Sequence, residues 1–166
     1  MYERRQGILK YDLLTQEMSA ITVSVTARGR HTVLMTTEDG RLGFATVSES
    51  RLYLWSREQG PNGDAGWAQS RVNDLDVLIQ PQSSTQDLFA TSRPAGFADN
   101  GAGGVVFIWT TAGFFTIDLK SSRANKVGES RRFEGSSVVP YMSFCIPGTD
   151  FSDRVLLLLF VKTSLG

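Results

Sequence analysis

The chain has 166 residues, 41% hydrophobic and 20% charged, with 17 Lys plus Arg against 17 Asp plus Glu. That balance argues for one globular domain, or two very small ones, and against a disordered chain or a strongly basic nucleic-acid binder. Its single cysteine, Cys145, and single histidine, His31, leave no internal disulfide and no clustered ligand set for structural zinc.

In chain order, the predicted elements are strands. "ILKYDLLTQEMSAITV" (8–23) reads as a strand, an Asp-Leu corner, a polar turn and a second strand. "TEDGR" (37–41) contains Asp39-Gly40, the signal of a type I′ hairpin turn, because glycine accepts the positive φ that turn requires. "LGFATV" (42–47) is followed by "SES" and "RLYLW" (51–55). Next comes "REQGPNGDAG", a hard break that predicts a projecting loop, with Trp55 ending one strand and Trp67 beginning the next. The best helix candidate is "NDLDVLIQ" (73–80), two turns at most, with Asn73 as its cap and Pro81 as its stop. "ADNGAGGVVF" (98–107) leads into the strand "VVFIW" (105–109). "TTAG" and "FFTIDL" (114–119) follow. "VLLLLFV", Val155 to Val161, is far shorter than the about 20 residues of a membrane span and reads as a buried strand.

Two internal echoes organise these strands. Residues 8–23 lie on 114–129 without gaps: Asp12 falls on Asp118, Leu13 on Leu119, Thr15 on Ser121 and Ile21 on Val127. An aspartate at such a corner accepts bonds from backbone amides two residues on and so fixes the turn. The second echo sets "VLMTTEDGRLGF" (33–44) against "FIWTTAGFFTI" (107–117), so that a hairpin strand starting near Ile8 recurs near Leu42 and near Phe114. The two corners lie 106 residues apart. Two repeats in that interval are each about 50 residues, the kelch-like length of a four-stranded propeller blade. The fold class expected is all-β, with antiparallel blade-like sheets forming a partial β-propeller of about three blades. An ordinary hairpin in a β-sandwich is the alternative.

The blocks "GRLGFATVSESRLYLWSREQGPNGDAGWAQSRV", "GFADNGAGGVVFIWTTAGFFTIDLKSSRANKV" and "VVPYMSFCIP" resemble the F-box-associated β-propeller of plant F-box proteins, especially those of grasses. The resemblance runs from about residue 7 to 147. It implies a propeller that selects target proteins, joined in that family to an N-terminal F-box that docks on the adaptor of a cullin-based ubiquitin ligase. Three departures stand out. Only "MYERRQG" precedes the first strand. Gln16 and Ser122 occupy corner positions where glycine is frequent, and "TDFSDRVLLLLFVKTSLG" does not match what should follow. The expectation is a truncated relative, with a tail over 1–7, a propeller-like domain over 8–147 and an atypical segment over 148–166. Adaptor docking is in doubt without the F-box.

The chemistry points to binding rather than catalysis. His31, beside Arg28 and Arg30, fits a turn or strand edge, and Cys145 in "YMSFCIP" fits a buried structural thiol. The glycines of 98–107 lack both phosphate-loop patterns, and Asp74 and Asp76 fit a solvated surface. No enzyme activity, cofactor or metal is expected. Acids dominate from 58 to 99 (Glu58, Asp64, Asp74, Asp76, Asp87, Asp99). Bases dominate from 119 to 132 (Lys120, Arg123, Lys126, Arg131, Arg132). Sectors of opposite sign suit protein recognition. The candidate contact residues are Arg57, Asn62, Asp64 and Trp67 on one rim loop, with Arg131 and Arg132 on another. Two alternatives remain: a glycan- or small-ligand-binding β-domain in which Trp55, Trp67 and Trp109 form a stacking platform, and RNA binding by the basic stretch beside Phe133.

The expected setting is cytoplasmic or nuclear, since no signal peptide or Asn-x-Ser/Thr acceptor is present. A 166-residue chain falls short of the roughly 300 residues of a closed six-blade ring. An open arc of sheets, or sheets collapsed onto one another, is therefore expected. It would expose edges that favour self-association, with Val155 to Val161 adding a strand to the last sheet or else adding to the exposed surface.

Overall fold

The structure, a computed structural model, describes residues 6–23, 31–79, 92–101, 103–129 and 155–160. Its elements run β1 (Gln6–Asp12), β2 (Met18–Val23), β3 (Thr32–Thr36), β4 (Leu42–Ser48), β5 (Arg51–Gln59), β6 (Ala65–Asp74), α1 (Leu75–Ile79), β7 (Arg93–Ala98), β8 (Val105–Thr110), β9 (Gly113–Asp118), β10 (Arg123–Gly128) and β11 (Val155–Phe160). The described chain is mostly antiparallel β, and none of its sheets is closed. Among the described residues, no helix is long and apolar enough to cross a membrane.

Two compact units divide the chain. The first joins 1–26 with 141–166, and the second spans 27–140. In the first unit the strand order is β11-β1-β2. Ile8 is fully buried and pairs with Ile21 on one side and Leu159 on the other. The apolar C-terminal run therefore does form a strand, but on the first sheet and not on the last. Six consecutive pairs, from Gly7↔Phe160 to Asp12↔Val155, set its antiparallel register.

The second unit holds two four-stranded meanders, β3-β4-β5-β6 and β7-β8-β9-β10. Alternation places their shared core. In β5, Leu52, Leu54 and Ser56 are buried while Tyr53, Trp55 and Arg57 are less so. In β8, Val106, Ile108 and Thr110 are buried between Val105, Phe107 and Trp109. Met35, Ala45, Val47, Leu52, Leu54 and Leu75 meet Val106, Ile108, Ile117 and Leu119 in one apolar cluster. One face of each sheet thus points into a common core, and the other face of each points away from it. β4 is buried along Gly43 to Val47, as befits an interior strand with both faces covered.

The local turns explain the register. Thr37 and Arg41 close the loop between β3 and β4. The Thr37 N–H donates to the Arg41 carbonyl at 2.8 Å, and the Gly40 N–H donates to the Thr37 carbonyl at 2.9 Å. Gly40 has φ 78°, but Asp39 is not in the left-handed region. This is a three-residue loop with glycine in the left-handed region, and not the type I′ turn read from Asp39-Gly40. The break at "GPNGD" has the same build. Gly60 donates to the Asp64 carbonyl at 2.7 Å, Gly63 donates to the Gly60 carbonyl at 3.0 Å, and Gly63 has φ 83°. Proline and asparagine suit the type I turn inside it.

The helix is shorter and capped one residue later than expected. α1 covers five residues, and the Asp74 carboxylate accepts the Asp76 N–H at 3.0 Å, so Asp74 is the cap. Asn73 is instead the buried penultimate residue of β6, 6% exposed, opposite Leu52. Pro81 lies outside the described residues. The recurrence near Leu42 also differs from expectation, since β4 is second in its sheet whereas β9 is third in its own.

The two Asp-Leu corners do match in detail. Asp12 Oδ1 accepts the N–H groups of Leu14 at 2.9 Å and Thr15 at 3.1 Å. Asp118 Oδ1 accepts the Ser121 N–H at 2.7 Å and the Ser121 hydroxyl at 2.8 Å. The residue that ends each turn is left-handed: Gln16 has φ 56° and Ser122 has φ 54°.

Candidate functional site

The β5–β6 hairpin carries four of the sequence-predicted contact residues. Its strands run to Gln59 and from Ala65, so Trp55 sits inside β5 rather than at its end. Arg57 pairs directly with Trp67, and its guanidinium lies 6.0 Å from the Trp67 ring centre. Both are strand residues, which corrects their assignment to a rim loop. Asn62 and Asp64 do occupy the loop and are exposed. Arg131 and Arg132 lie outside the described residues, as do Asp87, Phe133 and Cys145.

Phe44 explains why two tryptophans flank the break. Trp55 stacks on it at 5.9 Å with an interplanar angle of 14°, and Trp67 meets it edge-on at 4.7 Å. The two tryptophans cover Phe44, which is fully buried, on the side of this sheet that faces away from the shared core. Among the described residues, Trp55 Nε1 and one Arg57 Nη are buried there without hydrogen-bond acceptors. Trp109 stands on the other sheet, 5.3 Å from the Arg93 guanidinium, on the face directed away from the same core. The three tryptophans therefore do not converge on one platform.

A groove of about 650 Å³ opens at the edge of the shared core. Met35, Leu54 and Leu119 form its apolar floor, and its walls come from the Thr37–Arg41 loop, Ser56 and Glu58 of β5, Ser70 and Arg71 of β6, and Lys120. The wall charges are of both signs. Asp39 is held by Arg41 Nε at 2.7 Å and by the Thr37 hydroxyl at 2.6 Å. The Thr37 bond, and after it the Arg41 charge, keep the Asp39 carboxyl below the ordinary aspartate value. Arg71 donates to the Leu119 carbonyl and to the Ser122 hydroxyl, so one wall of the groove ties the two sheets together.

Sequence reasoning did not single out Arg71, Arg41 or Glu38. A β-bulge between β5 and β6 shifts the pairing so that Trp55 faces Gln69 while Leu54 faces Arg71. Strict alternation counted from Trp67 therefore puts Arg71 on the wrong face. The glycine-rich stretch is a turn that leads into β8, as read. Asp99 accepts the Gly101 N–H at 2.8 Å and Asn100 accepts the Gly104 N–H at 2.9 Å. His31 is exposed at the edge of β3. Among the described residues, no group of three or more His, Cys, Asp or Glu side chains could hold a metal ion.

The fold and these surfaces define an antiparallel all-β protein with a mixed-charge groove and a long exposed hairpin. Compared with family models, curated proteins and solved structures, the chain matches none of them.

Proposed function

We propose that the chain is a non-enzymatic protein-interaction module of the target-selecting kind found in plant F-box proteins, with its sheets serving as blades of a partial β-propeller. The observation that supports this most is the pair of successive four-stranded meanders packed face to face on one core, with the first strands β3 and β7 in contact. Consecutive propeller blades have this arrangement. Under this reading the β11-β1-β2 sheet is a third blade of three strands.

Target contact is assigned to the β5–β6 hairpin and the adjoining groove. Arg57 and Trp67 present a cation and an aromatic face side by side, and Asn62 and Asp64 offer polar groups at the tip. Arginine and tryptophan are the residue types most enriched at the energetic centres of protein interfaces. The groove adds an apolar floor with charges of both signs around it, which favours partner discrimination. Docking to the ligase adaptor is not part of this assignment.

Affinity capture from plant extract tests the reading. The wild-type chain should retain at least one protein that an Asn62→Arg, Asp64→Arg double variant of the hairpin loses, with far-UV circular dichroism unchanged. Recovery of no hairpin-sensitive protein would count against it.

A further inference from the structure

We propose that β6 is a self-recognition edge, at which two copies of this chain join antiparallel, strand against strand. β6 has ten residues, pairs among the described residues only with β5, and leaves Ala65, Gly66, Gln69, Ser70, Arg71 and Val72 exposed. Natural sheets blunt their open edges with short strands, lysine, proline or bulges. β7 carries Pro94 and a bulge, while β10 carries Arg123, Lys126 and a bulge before Gly128. From Ala65 to Gln69, β6 has no charge, no proline and no bulge.

The sequence of this edge is self-complementary. A two-fold axis at Trp67 sets Trp67 opposite Trp67 of the second copy, Gly66 opposite Ala68, Ala65 opposite Gln69 and, past the bulge at Ser70, Asp64 opposite Arg71. The last pair occurs twice, so two opposite-charge pairs bracket the junction. Arg71 and Asp64 project to the same side of the sheet, as the pairs Leu54↔Arg71 and Ser56↔Ala68 together with strand alternation require. A guanidinium has five N–H donors, and the bonds to Leu119 and Ser122 leave others for a carboxylate. The small side chains of Ala65, Gly66 and Ala68 let the backbones approach. This inference does not rest on the target-binding assignment.

Sedimentation velocity on the full chain from about 1 to 200 µM, a range that brackets micromolar association, tests it. The expected result is a reversible monomer–dimer equilibrium. Asp64→Arg, which puts like charges together at both ends, should weaken it about tenfold or more. Gln69→Lys, a charge at an exposed edge position, should also weaken it. Arg123→Glu on β10 should leave it unchanged. A monomer at every concentration, a dimer that survives both β6 substitutions, or a dimer lost only with Arg123→Glu would each overturn the proposal.

Discussion

Arg71 of β6 donates a hydrogen bond to the backbone carbonyl of Leu119, 48 residues away and just past the end of β9. The same guanidinium reaches the Ser122 hydroxyl with its other terminal nitrogen. Removing it leaves the carbonyl without this donor and breaks the polar tie at the mouth of the shared core. Arg71→Ala should destabilise the chain by about 1–2 kcal/mol in urea titration. Arg71→Lys should recover little of this, because a single ammonium does not reproduce the fork that spans both acceptors.

The left-handed residues at the two corners make separate predictions. Gln16 has φ 56° and, among the described residues, its side chain has no hydrogen-bond partner, so Gln16→Gly should stabilise by roughly 1 kcal/mol. Ser122 has φ 54° but accepts from Arg71, so Ser122→Gly should gain less than Gln16→Gly. Urea midpoints of the two variants, measured side by side, check the order.

The corner aspartates predict a pH dependence. The Thr15 and then the Leu14 backbone N–H groups hold Asp12 below its ordinary value, and the Ser121 N–H and then its hydroxyl do the same for Asp118. A carboxyl whose folded pKa is depressed stabilises the fold above its unfolded value, near about 3.9, and loses that contribution as pH falls through the folded value. Asp118→Ala should therefore lower the melting temperature at pH 6. The gap to wild type should close as the pH falls well below 3.9. A gap that persists unchanged in acid would show that the bonds do not act through the carboxylate.

Gly104 has no room for a side chain. A Cβ there would stand 2.3 Å from Phe97 Cε2, and its φ is 89°. Phe97 packs against the shared core, so it has little freedom to move aside. Gly104→Ala should cost about 2–4 kcal/mol, counting both the clash and the backbone strain, measured by chemical denaturation. Gly63→Ala meets no atom within 4 Å and should cost less, through its φ of 83° alone.

Much of the fold was legible because strand alternation and turn chemistry are local signals. β4, β5, β8 and β9 appear where apolar alternation put them, and the Asp12 and Asp118 corners recur with their aspartates accepting backbone amides. The positive φ at Gln16 and Ser122 was readable as a departure from glycine. What stayed hidden depends on contacts distant in sequence. The pairing of β11 with β1 joins the two ends of the described chain, and no periodicity inside "VLLLLF" selects that partner. The groove was missed for a similar reason. Its lining comes from five stretches between Met35 and Lys120, and a bulge turns Arg71 onto the face that alternation denies it. Helix capping failed by one residue because Asn73 and Asp74 are equally good caps in isolation, and burial of Asn73 in β6 left the role to Asp74.

Site-specific photo-crosslinking from position 62 tests the target-binding assignment most directly. A photoreactive residue in place of Asn62, at the exposed tip of the β5–β6 hairpin, would sit within reach of any protein held there, and one in place of exposed Ser19 on β2 serves as the reference. The account predicts a discrete crosslinked protein from plant extract at position 62, absent at position 19 and competed away by unlabelled wild-type chain. Crosslinks that are the same from both positions, or that resist competition, would contradict it.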